Sequence, residues 1–409
     1  MKSQGNVLHD WHAEVLAIRA FNCFVLDECL ELASGSKNSS RFIRRRDSAD
    51  ITAIHVSAES HDGDISWHGQ PFAWREYVVL HMYCSEAPCG DASMELTMAS
   101  QEDVTPWTIP IVPQQEAFSI PSVVPTLTPD TLLPGRAYFS QLGIVRRKPS
   151  RGDAPSTLSK SCSDKLSLHQ CTSLLSSPTS LLVSPEHVYI SILILPTSQY
   201  SASGCKRAFS DGQDEDKGDK EASSQARMAS LFTQDSNRNQ GGGYDFRPFT
   251  VKTTDIEFAF SRRSANNLLE PDSNTNTPKP KLTPSNLAVA LTASNRVETT
   301  LNGVLQGHKA SQAHIRGSSF VSRRRLWGLA VEVASLLPIA NPQSTNNIPH
   351  IQQALGVPNS SIAAETEAKT YRDVKKTSLL EPRRRAKQAA RDLALQGWVR
   401  NVGDEDFVL

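Results

Sequence analysis

Three short runs hold side chains that could act on one another's chemistry: His12-Ala13-Glu14, Pro88-Cys89-Gly90-Asp91 and Ser161-Cys162-Ser163-Asp164-Lys165. One imidazole and two thiolates leave a zinc ion a fourth tetrahedral position open, the arrangement of a catalytic rather than a structural site. Water in that position loses a proton near neutral pH, because the cation stabilises hydroxide. Glu14, two residues beyond the histidine, can carry the proton without being a ligand. Taken singly, each run has an ordinary reading. His12 is then a polar residue near a helix cap, Cys89 a small core residue, and Cys162 incidental in a Ser-rich stretch.

These residues need elements to hold them. The spacing of Val15, Leu16, Ala20, Phe24 and Leu26 predicts a helix over 12–33, buried on most sides, with Asp10 near its start and Gly35 as its stop. YVVLHMYC (77–84) reads as a strand covered on both faces. Pro88 then opens a helix, which puts Cys89 where free N–H groups and the dipole favour a thiolate. HVYISILIL (187–195) is a second buried strand ended by Pro196, TDIEFAF (254–260) alternates as a strand does, and 319–337 and 383–399 are helical. The fold class expected is α/β, a mixed sheet between helices with a C-terminal helical extension. A single domain spans 1–409, with polar stretches at about 34–70, 100–135, 201–243 and 264–285 reading as disordered insertions.

Composition narrows the classes. Only 38% of the 409 residues are hydrophobic, too many for wholesale disorder and too few for compact structure throughout. Lys+Arg and Asp+Glu both number 43, so no global field draws the chain to a polyanion, and local basic clusters must do so. No run of about 18–20 apolar residues could span a bilayer, and the first residues have no secretory signal. Seven scattered cysteines suit a reduced compartment, nucleus or cytoplasm, better than a disulfide framework. Nothing calls for a membrane or a protein partner.

Zinc deaminases of nucleobases pair H-x-E with P-C-x-x-C. Here Ala92 stands where the second cysteine would be, so the third ligand comes from elsewhere. HAEVLAIRAF, LHMYCSEAPCGDAS and SCSDKL, in that order, resemble the adenosine-to-inosine editase domain. That family holds the adenosine deaminases acting on RNA and the eukaryotic tRNA adenosine-37 deaminases. VETTLNGVLQG (297–307), SSFVSRRRLWGLA (318–330), YRDVKK (371–376) and RRRAKQAARDLALQGWVRN (383–401) continue the likeness.

The resemblance implies a cytidine-deaminase-like fold, zinc held by His12, Cys89 and Cys162, and hydrolytic attack at C6 of an adenine, with Glu14 carrying protons to N1 and the leaving amine. It also implies a buried inositol hexakisphosphate, contacted by Asp10, Arg19, Lys148, Lys165, Tyr371, Lys375, Lys387 and Trp398, with Asp10 and Lys165 relaying from the zinc. Arg383–Arg385 stay undecided between ligand contacts and a solvated helix face.

The SEAPCGDAS and GNVLHDWHAEVLAIRAF forms look more like fungal tRNA deaminases than duplex editors, whose double-stranded-RNA modules find no likeness here. Adenosine 37 of a tRNA is therefore the expected target. RNA contacts are expected from the basic clusters Arg44–Arg46, Arg146–Lys148, Arg262–Arg263 and Arg323–Arg325, and by family position from Arg146, Arg147 and Arg151. The resemblance places a β-hairpin ahead of the HAE helix. This chain meets His12 after eleven residues, so the N-terminal strands are expected to be missing and a sheet edge exposed. Ile18 and Lys160 also depart from the family pattern. Three alternatives remain: duplex-RNA or mRNA editing, an inactive zinc- and RNA-binding fragment, and a free-nucleoside or cytidine deaminase, which the remote Cys162 disfavours.

Overall fold

The structure, a computed structural model, describes residues 3–47, 50, 68–101, 141–148, 157–212, 226–231, 241–268, 285–312, 314–338, 348–358, 368–401 and 403–409. Helix α1 (Ala13–Ser34) buries Leu16, Ala20, Val25, Leu26, Cys29 and Leu32 and ends where Gly35 turns left-handed at φ 75°. That is the long buried helix the spacing predicts, with the expected stop.

Strands β1 (Ile43–Arg45), β2 (Phe72–Trp74), β3 (Leu80–Tyr83), β4 (Val183–Ser184), β5 (Ile190–Pro196) and β6 (Thr250–Thr254) build two three-stranded sheets, ordered β1-β2-β4 and β3-β5-β6. In the second, β5 pairs parallel with both neighbours. Strands β7 (Leu287–Leu291), β8 (Val297–Leu301) and β9 (Val304–Leu305) form an antiparallel third. Helices α2 (Met94–Ala99), α3 (Cys162–Thr172), α4 (Ser177–Ser180), α5 (Ala202–Phe209), α6 (Arg262–Leu268), α7 (Arg323–Ser335), α8 (Ile348–Leu355), α9 (Tyr371–Lys376) and α10 (Glu381–Leu393) complete the mixed α/β architecture. One core joins α1, α7 and α8 to the strands, and a smaller one joins Leu168 and Cys171 of α3 to Ala390, Ala394 and Leu395.

Several expectations need correction. Strand β3 is four residues long at the edge of its sheet, with Tyr77 72% and Val79 58% exposed, so 77–84 is not covered on both faces. The helical turn after Pro88 begins at Asp91, leaving Cys89 in the loop before it. The third parallel strand is 250–254, and the alternating apolar residues of 254–260 lie beyond it, exposed. Parts of the expected insertions are ordered: β1 falls within 34–70, and α5 and the turn Arg227–Leu231 within 201–243. Most of 100–135 and 264–285 lies outside the described residues. Among the described residues no helix is long and apolar enough to cross a membrane.

The parallel sheet explains the location of the candidate ligands. β3, β5 and β6 end on one side, and the segment leaving β3 carries Cys89; such carboxyl ends are where α/β sheets place their sites. The segment holding Asp10 and His12 is pinned by a turn distant in the chain. The Leu8 N–H donates to the Gly303 carbonyl (2.8 Å), in the turn between β8 and β9. A Cβ on Gly303 would stand 2.2 Å from the Leu8 oxygen, so the NG pair of this turn is needed for its close approach as well as its positive φ.

Candidate active site

His12, Cys89 and Cys162, distant in sequence, come together at two helix N-termini and one loop. His12 is the N-cap of α1, its N–H donating to Asp10 Oδ1 (3.1 Å). Cys162 is the first residue of α3, capped by Ser161, whose Oγ accepts from the Asp164 N–H (3.1 Å). Cys162, not Cys89, is thus the residue at a helix start, but its N–H donates to Cys89 Sγ (3.3 Å), so the thiolate favoured there is that of Cys89. His12 Nδ1 lies 3.6 Å from Cys162 Sγ and 3.8 Å from Cys89 Sγ. Bonds of about 2.0–2.1 Å to nitrogen and 2.3 Å to sulfur at tetrahedral angles separate N and S by roughly 3.5 Å. The donor set and its spacing fit zinc, and the three ligand atoms lie within 4.8 Å of one another.

The S-C-S-D-K run assembles the site residue by residue. Ser163 accepts the Ala92 N–H (3.2 Å) and donates to the Pro88 carbonyl (3.0 Å), while its own N–H donates to the Cys89 carbonyl (3.0 Å). Gly90 at φ 103° permits that approach, since a Cβ there would stand 2.3 Å from Ser161 Oγ. Asp164 is fully buried and takes hydrogen bonds from Arg227 Nη1 (2.6 Å), Ser161 Oγ (2.6 Å) and the Arg146 N–H (2.9 Å). Lys165 turns back to Asp10, which also accepts from Ser159 Oγ (2.9 Å) and Lys148 Nζ (3.0 Å).

The electrostatics follow from these contacts. A hydrogen bond from Cys162 favours the Cys89 thiolate and lowers its pKa well below the usual thiol range, with Lys148 and His12 adding to the effect. A divalent cation would replace the proton these sulfurs share. Burial opposes the charge on Lys148, but the two sulfurs and Asp10 outweigh it and raise its pKa. Burial likewise opposes ionisation of Asp10, and the ammonium groups of Lys165 and Lys148 prevail, holding the carboxyl below its normal range. For Glu14, burial and the nearby Cys89 sulfur both push the carboxyl up. A group so placed picks up a proton more readily than a solvated glutamate.

Behind Lys165 lies a cavity of about 210 Å³ lined by Arg19, Lys165, His169, Arg323, Tyr371 and Arg383, among others. Its surroundings are overcharged. Burial and neighbouring cations lower Arg19 to about 10, and they lower Lys165, Lys375 and Lys387 as well, Lys387 most strongly. A partly covering anion is present in Glu405, which pairs with Lys375. Arg19, Lys165 and Tyr371 thus meet as expected, joined by Arg323 and by Arg383, one of the undecided arginines.

Other expected contacts lie elsewhere. Lys148 belongs to the metal side, donating to Cys162 Sγ (3.2 Å). Trp398 packs in the smaller core, with Lys160 at 5.5 Å and Arg391 at 5.3 Å from its ring centroid. Arg146, expected at an RNA surface, is fully buried between Asp91 and Asp164. The backbone of Arg147 pairs antiparallel with that of Lys160, and Arg151 lies outside the described residues. Arg44 pairs with Asp50 (2.6 Å), and the Arg325 guanidinium donates to the Ile315 carbonyl (3.0 Å), so these basic clusters also serve internal contacts. Ser159 and Arg227 were missed. Ser159 stands just outside a recognisable motif, and Arg227 lies inside a stretch whose composition reads as linker.

A His-Cys-Cys cluster able to hold a metal, set between two helix starts and the loop that leaves a parallel strand, marks the structural class. The family model of the adenosine-deaminase (editase) domain matches residues 1–402, and the chain belongs to that family. It is similar to tRNA-specific adenosine deaminase 1 of Schizosaccharomyces pombe, 34% identical over 258 residues that cover 63% of this chain and 52% of that protein. It is also 34% identical to tRNA-specific adenosine deaminase 1 of Saccharomyces cerevisiae over 176 residues, 42% of this chain and 36% of that protein. The chain thus matches about half the length of the first of these curated relatives and about a third of the second.

Proposed function

We propose that this chain hydrolyses adenosine to inosine in tRNA, at position 37 beside the anticodon. The observation that carries the reading is the convergence of His12 Nδ1 and the sulfurs of Cys89 and Cys162 at near-tetrahedral spacing, with Glu14 in the first turn of the helix that His12 caps. These three would hold zinc, which supplies a water acidic enough to be deprotonated near neutral pH. Glu14 would pass one proton from that water to N1 of the adenine, and a second, from the hydroxyl that the attack leaves on C6, to the amine that departs as ammonia. Its raised pKa suits both duties. Asp10 fixes the His12 backbone and, through Lys148, the Cys162 sulfur, so the ligand set is held from behind. An adenine must leave its stack to reach such a site, which favours an exposed loop over a duplex.

The cavity beyond Lys165 is read as the seat of inositol hexakisphosphate. Burial and neighbouring cations lower Arg19, Lys165, Lys375 and Lys387, a strain that a polyanion would relieve, and Arg19, Lys165, Arg323, Tyr371 and Arg383 line the space. Asp10–Lys165 then joins the two sites.

The test is a tRNA transcript incubated with zinc-loaded protein and sequenced for inosine. Product at position 37 is expected. Glu14→Gln should keep its zinc and lose about 10²–10⁴ in rate. Undiminished turnover in that variant, or no inosine from the parent protein, overturns the reading.

A further inference from the structure

The loop that leaves β6 carries an apolar surface that neither the core nor the metal site uses. Ile256, Phe258 and Phe260 are 77%, 48% and 85% exposed. Large exposed side chains grouped in this way mark a contact surface. The loop is firmly held. Tyr83 Oη donates to the Ile256 carbonyl (3.1 Å) and accepts the Phe258 N–H (3.1 Å). The Phe258 carbonyl takes the Ser261 N–H and Ser264 Oγ, each at 2.8 Å. The two phenyl rings meet edge to face with centroids 5.6 Å apart, so Phe258 buttresses Phe260 while the latter stays open to solvent.

Arg263 ties this loop to the one that bears Cys89. Its guanidinium donates to Glu257 (2.8 and 2.9 Å), to Glu86 (3.0 Å) and to the Ser85 carbonyl. Glu86 is three residues from Cys89, an extended span of at most roughly 10 Å. Glu257, next to Phe258 in the chain, and Glu86 are thereby paired. Arg262 is exposed and makes no ion pair among the described residues, Lys252 is exposed on β6, and Asp255 accepts from Thr197 Oγ1 (2.9 Å). Open aromatic faces and exposed cations on a loop tied to the one that bears Cys89 suit the way single-stranded nucleic acid is gripped without sequence choice.

We propose that Phe258 and Phe260 form a stacking platform for an unpaired RNA base flanking the adenosine that enters the metal site. The assignment rests on the RNA-adenosine reading above. It is tested with a fluorescent anticodon stem-loop by anisotropy, and with a full tRNA transcript by inosine kinetics. The combined Phe258→Ala and Phe260→Ala variant should raise Kd and KM about five- to a hundredfold. Zinc content should be unchanged, and so should the salt slope of binding, because no phosphate contact is removed. Phe260→Leu, which keeps apolar bulk without a π-face, should weaken binding several-fold, and Phe260→Tyr should bind as the parent does.

Equal affinity for the leucine and phenylalanine forms overturns the proposal. So does unchanged RNA affinity in the double variant, including the case where sedimentation shows that the rings instead join two copies of the chain. Inosine formed by the parent with KM unmoved by the double substitution defeats the platform alone. Ring-dependent RNA binding without any inosine defeats the deaminase reading and leaves the platform standing.

Discussion

Asp10 and Lys165 separate two regions built on opposite electrostatic plans. On the metal side, Lys148 faces two sulfurs and a carboxylate, so charges nearly balance and only a small cation is needed to complete the set. On the cavity side, Arg19, Arg323, Arg383, Lys375 and Lys387 crowd together with Glu405 and Asp404 as their acidic partners. Each cation there loses hydration and is repelled by the next. The first region is a preformed ligand set. The second stores a deficit that a polyanion would relieve, which ties ligand binding to folding.

The largest expected effect breaks the metal side alone. Cys162→Ala should leave zinc undetectable by elemental analysis and inosine formation undetectable, while the overcharged cavity still takes up inositol hexakisphosphate in a calorimetric titration. Loss of both would show that the regions are not separable.

Next is the link between them. Asp10→Asn removes the carboxylate shared by Lys148 and Lys165 and should weaken zinc retention against a chelator about 10–100-fold. A zinc affinity equal to the parent's would mean that the ligand set needs no support from behind.

The smallest effect sharpens the cavity side. In protein stripped of polyanion, the depressed folded pKa of Lys387 means that the unfolded chain binds the extra proton. Stability should therefore rise as pH is raised towards about 10.4, where the unfolded lysine titrates. Lys387→Met should remove this contribution and raise the melting point of the stripped protein. In saturating inositol hexakisphosphate the parent should instead gain about 2.7 kcal/mol at a hundredfold excess over Kd. A melting curve insensitive to both changes would remove the case for a polyanion.

The site was more legible than the sheets around it. His12, Glu14, Cys89 and Cys162 stand in short runs whose residue types have few other uses in combination, and α1 announces itself by an apolar surface over 22 residues. The strand over 77–84 misled because a continuous apolar run looks the same in a central strand and at an edge. TDIEFAF misled for a related reason: alternation records which residues share a side, not whether a neighbouring strand covers them. Arg146 and Lys148 look like a surface cluster in a basic run, yet buried Asp164 and Asp10 draw them inward.

Local chemistry in the sequence singled out the candidate ligands, the carboxylate beside them, and the helix start and stop of α1, because each depends on side-chain identity over a few residues. Tertiary structure alone decided that Cys162 rather than Cys89 occupies a helix start, and that Arg323 and Arg383 join one cavity. It also decided that Phe258 and Phe260 stay outside. Those outcomes depend on which distant carboxylates, strands and helices arrive beside a residue, and burial and charge pairing are properties of that meeting rather than of the residue.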